Sequence, residues 1–270
     1  MKKTLLVLTV VIVAAGMAAA QDKGLHGSVD LTYQSKYIWR GIDVFNDHSA
    51  IQPSVDLDLW GTGFGVSAMG HRANASGFEE VVPGAHSGER WDYTLYYQNG
   101  LFKDERHALN YRLGWVYYNF PENYAADYDL QELHAVLSWP TILPVKGLVP
   151  SYVLIKLWPS SQGSIVGGAA SGFAHVFMLD YPVTVGGLVP NKPEQVFRLH
   201  SEVVYNDGVD PRGAGVDHDW SNAVFGVATD FDCGKNMTLT PAVYHQVTMD
   251  RSVNPDKDET WATLGLKYKF

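Results

Sequence analysis

Cysteine is nearly absent. The chain has a single one, Cys233, so no internal disulfide can form, and no Cys/His cluster has zinc spacing. Long apolar runs are missing after residue 20: no later stretch approaches the roughly 18 consecutive apolar residues of a transmembrane helix. Helical periodicity is missing there too. Basic residues are in deficit, with 20 Lys and Arg against 29 Asp and Glu, which argues against nucleic acid as a partner. Gly-rich stretches such as Gly167-Gly168 precede no helix, so no nucleotide loop, cofactor or metal site is expected.

What is present begins at the first residue. Met1-Lys2-Lys3 leads into an uncharged run from Thr4 to Ala20, which closes on Ala18-Ala19-Ala20 before Gln21-Asp22. A basic start, a short apolar stretch and small residues at the end read as a secretory signal peptide over residues 1–20. Residues 21–270 then form one exported domain, a length routine for a single β-barrel.

The last ten residues carry the clearest pattern. Ala262, Leu264, Leu266, Tyr268 and Phe270 share one face, opposite Trp261, Thr263, Gly265, Lys267 and Lys269. Such period-two alternation, with lysines behind an apolar stripe, fits a strand with lipid on one side and a polar lumen on the other. Leu266, Tyr268 and the terminal Phe270 also resemble the C-terminal signal that outer-membrane barrels present to their assembly machinery. Similar segments lie near 25–40, 49–60, 63–72, 90–98, 107–119, 130–139, 148–158, 172–181, 195–205, 220–231, 236–248 and 260–270. Each is about long enough for a tilted strand to cross a bilayer.

The connections agree. Those after odd segments are mostly long and polar, whereas Gly61-Thr62 and Asp232-Cys233-Gly234-Lys235 after even ones are short. Bacterial barrels have this asymmetry and an even strand number. The expected fold class is therefore all-β, a transmembrane antiparallel up-and-down barrel of about twelve strands. Ten or fourteen stay open, because the 73–89 and 140–150 connections could hide or absorb a strand; a secreted soluble sandwich is the rival fold. Two longer connections, Trp139-Pro140…Gly147-Leu148-Val149-Pro150 and Tyr181-Pro182…Gly187-Leu188-Val189-Pro190, look like a repeated turn. Fifteen Tyr and eight Trp need a place, and a membrane interface supplies one. Trp39, Trp91, Trp158, Trp220 and Trp261 fall toward outer loops, and Trp60 and Trp139 toward inner turns. Such placement reads as two aromatic girdles.

Ser35-Lys36-Tyr37-Ile38-Trp39-Arg40-Gly41 closes the first segment. This S-x-Y-x-x-R-G pattern resembles the opening strand of the TorF-type putative porins, small signal-peptide-bearing barrels. The resemblance covers that strand, the chain length and the aromatic terminus; it implies a porin-like barrel and supplies no ligand.

Alternation assigns Asp30, Lys36, Arg40, Asp56, Asp58, Asp92, Arg112, Glu132, His134, Lys156, Arg198, His200, Glu202, Lys267 and Lys269 to the lumen. Mixed charge there can line a water-filled channel or pair up and plug a narrow one. The leading expectation is a porin-like channel for small polar or charged solutes. Its expected partners are outer-membrane lipid with lipopolysaccharide, and the barrel-assembly machinery. One alternative is a non-conducting surface barrel, suggested by acidic loops at Glu79-Glu80, Asp207, Asp210, Asp217, Asp219, Asp256, Asp258 and Glu259. Asn206-Asp207-Gly208-Val209-Asp210 lacks the rest of an EF-hand loop. The other alternative is a hydrolase built on His71 with Ser76 or His134 with Ser138. Neither spacing matches a barrel-enzyme signature, and no enzyme is expected.

Overall fold

Strands form at each of the twelve expected places. The structure, a computed structural model, describes residues 24–74, 88–121, 129–160, 171–188, 193–208, 218–250 and 257–270. The expected signal peptide, residues 1–20, lies outside these, as do Ser76, Glu79, Glu80, Asp210, Asp217 and Asp256.

The elements run β1 (His26–Gln34), β2 (Ile38–Trp39), β3 (Ile42–Asp43), β4 (Ala50–Asp58), β5 (Phe64–Ala73), β6 (Glu89–Leu101), β7 (Leu109–Asn119) and β8 (Leu130–Ser138). They continue β9 (Val149–Pro159), β10 (Gly172–Gly186), β11 (Glu194–Asp207), β12 (Asp219–Thr229), β13 (Phe231–Gly234), β14 (Met237–Thr248) and β15 (Glu259–Lys269). The short β13 follows β12 and pairs with β14, while β2 and β3 pair only with each other. The other twelve make one antiparallel meander, and β1 pairs with β15 to close it. Closure leaves no open sheet edge, as a membrane interior requires.

The register settles which face is which. Leu31 pairs with Leu266, Leu133 with Trp115, Phe225 with Ser201 and Val243 with Ala262, and the large apolar members of these pairs are exposed. One residue along each strand, Asp30 meets Lys267 and His200 meets Gly226 across the inner face. Several inward glycines make room for a cross-strand ring. A Cβ on Gly65 would lie 2.1 Å from the Tyr96 ring, and one on Gly226 2.4 Å from that of Tyr244.

Three expectations need correction. The first strand stops at Gln34 rather than running to residue 40, because its ladder to β15 gives out after Ser35 N–H reaches the Ala262 carbonyl at 2.9 Å. β10 continues through Pro182 to Gly186, so the Tyr181 segment is strand and does not repeat the turn around Trp139 and Pro140. Trp39 and Trp261 leave the girdle for the lumen, where Trp261 stacks on Tyr244 at 5.3 Å. Trp60 is exposed at a short turn and Trp220 on the outer face at the far end, as expected of girdle residues.

Candidate functional site

The first long connection does not leave the barrel; it folds inside. β2 and β3 form a ribbon turned by Arg40 and Gly41, with φ of 51° and 85°. Two successive positive φ values fit the twist-matched two-residue hairpin turn, and glycine takes the second at no steric cost. Ribbon residues Tyr37, Ile42 and Phe45 are buried.

Contacts tie the ribbon to both sides of the wall. Tyr37 stacks on His71 at 4.6 Å, and its hydroxyl accepts a hydrogen bond from Arg90. The Arg90 guanidinium lies 4.3 Å above the Trp39 ring and grips Asp92 through Nε and Nη2, each at 2.8 Å. His71 completes that side: the Gln52 side-chain amide donates to its Nδ1 at 2.7 Å, leaving Nε2 to donate to Asp92 at 2.9 Å. Arg40 pairs with Glu132, which also accepts from the Tyr118 hydroxyl at 2.6 Å and from His134 Nδ1 at 3.0 Å. Across the lumen, Gln246 Nε2 donates to the Gly41 carbonyl at 2.8 Å, and Lys36 reaches Glu259 at 2.7 Å. Every recurring residue of the S-x-Y-x-x-R-G pattern thus holds a ribbon contact or turn: Ser35 through Ala262, Tyr37, Arg40 and Gly41.

Around Trp39 apolar side chains fill part of the lumen. Val116, Tyr118, Leu130, Ile155, Leu157 and Ala174 pack as a core, with Trp39 against it. The ribbon lies at the end of the barrel that carries the long connections. Toward the short turns the lumen opens into a cavity of about 930 Å³, lined among others by Asp30, Arg198, His200, Asp230, Lys267 and Lys269. That volume is in the range of small-molecule sites.

Charge in the cavity is partly paired. Arg198 Nη2 bonds Asp230 Oδ1 at 3.0 Å, and His200 lies 2.7 Å from Asp180 and 3.4 Å from Glu202. Asp230 sits in the turn after β12, and Arg198 beside it holds its carboxyl below the usual carboxylate range. Lys267 and Lys269 make no ion pair with a described residue and give the cavity a basic side. Nearer the β4–β7 wall, Arg112 sits 3.6 Å above the Tyr96 ring and 3.7 Å from Asp56. Asp58, at the short-turn rim, accepts the Gly61 backbone N–H at 2.7 Å.

Of the residues assigned to the lumen, Arg40, Asp56, Asp58, Arg112, Glu132, His134, Arg198, His200, Glu202, Lys267 and Lys269 face it. Lys156 does not. It pairs in register with outward Leu133 and Phe173, and its Nζ lies 4.5 Å from the Phe173 ring centre, on the lipid side. Sequence reasoning missed Arg90, Gln52 and Gln246, the buried anchors of the ribbon. Of the hydrolase pairs, Ser76 lies outside the described residues. His71 is committed to Gln52 and Asp92, and Ser138 shares its hydrogen bond with Ser151 at 2.7 Å rather than with His134.

No protein-family model and no curated protein matches the sequence. Solved structures do match the fold. A KdgM porin aligns over 90% of this chain and 99% of its own at 12% identity, with a TM-score of 0.52. A NanC porin aligns over 90% and 100% at 13% identity, also with a TM-score of 0.52. An outer-membrane channel from Pseudomonas putida aligns over 91% and 95% at 11% identity, with a TM-score of 0.53. At such identities the likeness establishes a shared barrel fold.

Proposed function

We propose that this chain is an outer-membrane channel for small polar or charged solutes, narrowed on its outer side by the β2–β3 ribbon. The observation that carries this reading is the charged cavity of about 930 Å³ inside a closed barrel with an apolar exterior. Water-filled polar lumens behind an apolar band are the mark of diffusion barrels. The TorF-type resemblance and the likeness to porin folds point the same way. A KdgM porin has been solved in complex with disordered oligogalacturonate. Here Lys267 and Lys269, free of ion pairs among the described residues, would favour anionic solutes in the inner half. The residues proposed to line the path are Asp56, Arg112, Arg198, His200, Glu202, Lys267 and Lys269, with Arg40, Glu132 and His134 at the constriction.

Export would use residues 1–20 as a cleaved signal. Phe270, whose backbone pairs with Gly27 at 3.0 Å in both directions, would serve with Tyr268 and Leu266 as the assembly signal. On the lipid-facing side Lys156 would meet anionic lipid, including lipopolysaccharide. Liposome swelling tests the reading. Proteoliposomes should swell in isosmotic small sugars and sugar acids, faster for acids; folded protein that admits neither would favour a non-conducting surface barrel.

A further inference from the structure

Three carboxylates meet at the root of the ribbon. Asp43 ends β3, Asp47 follows in the same connection, and Glu259 opens β15; one oxygen of each lies within 4.8 Å of the others. Glu259 is wholly buried and Asp43 is 9% exposed. Two lysines share the cluster. Lys36 contacts both Asp47 and Glu259, and Lys257 lies 2.6 Å from Asp47 and 3.6 Å from Glu259. Among the described residues, three carboxylates meet two ammonium groups here.

Asp43 is in no ion pair with a described residue. Its Oδ2 accepts the Asp47 backbone N–H at 2.6 Å, and its Oδ1 is buried with no hydrogen-bond partner. A second buried oxygen nearby is also without a partner: Oε1 of Gln246, the residue directly across from Glu259 in the β14–β15 ladder. Gln246 is fully buried, and its Nε2 is spent on the Gly41 carbonyl and the Thr248 hydroxyl. Buried acceptors are nearly always satisfied, so these orphaned oxygens, one within the carboxylate cluster and one on the strand beside it, call for a donor or a cation.

We propose that Asp43, Asp47 and Glu259, with the side-chain carbonyl of Gln246, form a calcium site that fastens the ribbon to β14 and β15. All four donors are oxygens, the ligand type of a hard cation, and the three carboxylates make the set strongly anionic. They come from three separate segments, which suits the adaptable shell of calcium better than the strict one of magnesium. Asp47 is half exposed, which leaves room for the water ligands that complete six to eight contacts. Lysine and cation compete here. Without calcium, Lys36 and Lys257 hold the carboxylates together; with it, the half-exposed Lys257 turns to solvent.

Titration calorimetry on the detergent-refolded chain, stripped with chelator and then given calcium chloride, tests this. One saturable site is expected, weakened about tenfold or more by Asp43→Asn and tightened by Lys257→Ala, which removes a competitor. No saturable heat would overturn the proposal. So would an Asp43→Asn variant that binds like the parent, since calcium would then lie on acidic loops elsewhere. Heat-modifiable migration on gels shows whether each variant is folded. If Asp43→Asn does not fold, Lys257→Ala decides: unchanged or weaker affinity refutes the site.

Discussion

Replacing Arg40 with alanine should unfasten the ribbon. Its guanidinium is the only permanently charged cation paired with Glu132 among the described residues, and Glu132 is 3% exposed. Breaking a buried ion pair by removing one partner typically costs about 3–5 kcal/mol, because the remaining charge stays buried and unpaired. Glu132 keeps the Tyr118 hydroxyl and His134 as partners, so the lower end, about 3 kcal/mol, applies. At about 1.4 kcal/mol per tenfold, the balance between docked and released ribbon moves about a hundredfold. Alanine is the right replacement because it keeps a Cβ at φ 51°, so backbone strain is unchanged; glycine would relieve it and blur the comparison. Arg40→Lys should fall between, since it keeps the charge and loses the planar fork. The assay is open probability in planar bilayers at fixed voltage. A rise of more than tenfold is expected for Arg40→Ala. An open probability within twofold of the parent, in protein shown to be folded, would refute the idea that this pair holds the ribbon.

Three further predictions follow from the same geometry. Lys267→Glu with Lys269→Glu removes the basic side of the cavity and should move the reversal potential toward cation preference in a salt gradient; no movement would mean that ions do not pass these residues. Gly65→Ala forces a Cβ into the Tyr96 ring and should destabilise the barrel by about 1–3 kcal/mol, read as a lower midpoint of heat modifiability, and an unchanged midpoint would contradict the packing. Acid should leave the ribbon root intact to low pH. Hydrogen bonds from Lys257 and then Lys36 hold the Asp47 carboxyl at about 2 against an ordinary 3.8, so this half-exposed pair's modest stabilisation is full above about 3.8 and is lost as pH falls through about 2. Protease sensitivity of the ribbon in a chelator-containing titration reports it, and release already at pH 5 would contradict the assignment.

The barrel was legible in the sequence because its strands obey one rule, apolar outward and polar inward. Leu264, Leu266 and Lys267 state it plainly, and turn length supplied the parity. The rule misleads where apolar side chains pack against the ribbon inside the lumen. On β9, Val153, Ile155 and Leu157 point inward toward the core that Trp39 joins, so both faces are apolar and Lys156 looks like the polar member of an inward set. Only its neighbours Leu133 and Phe173 place it outside. The ribbon was hidden for a related reason: alternation continues past Gln34 without a breaker until Gly41. Its signature was present as Arg40-Gly41 between alternating residues, with Phe45 placing a large ring in a supposed outer loop. What no spacing shows is that Gly41 and Gln246, 205 positions apart, meet in one hydrogen bond.

The most direct test of the account is single-channel recording from the refolded wild-type chain in a planar bilayer. The account predicts discrete, brief openings with anion preference, lengthened when the ribbon is unfastened. A barrel that inserts, migrates as folded and carries no current, with or without Arg40, would contradict it.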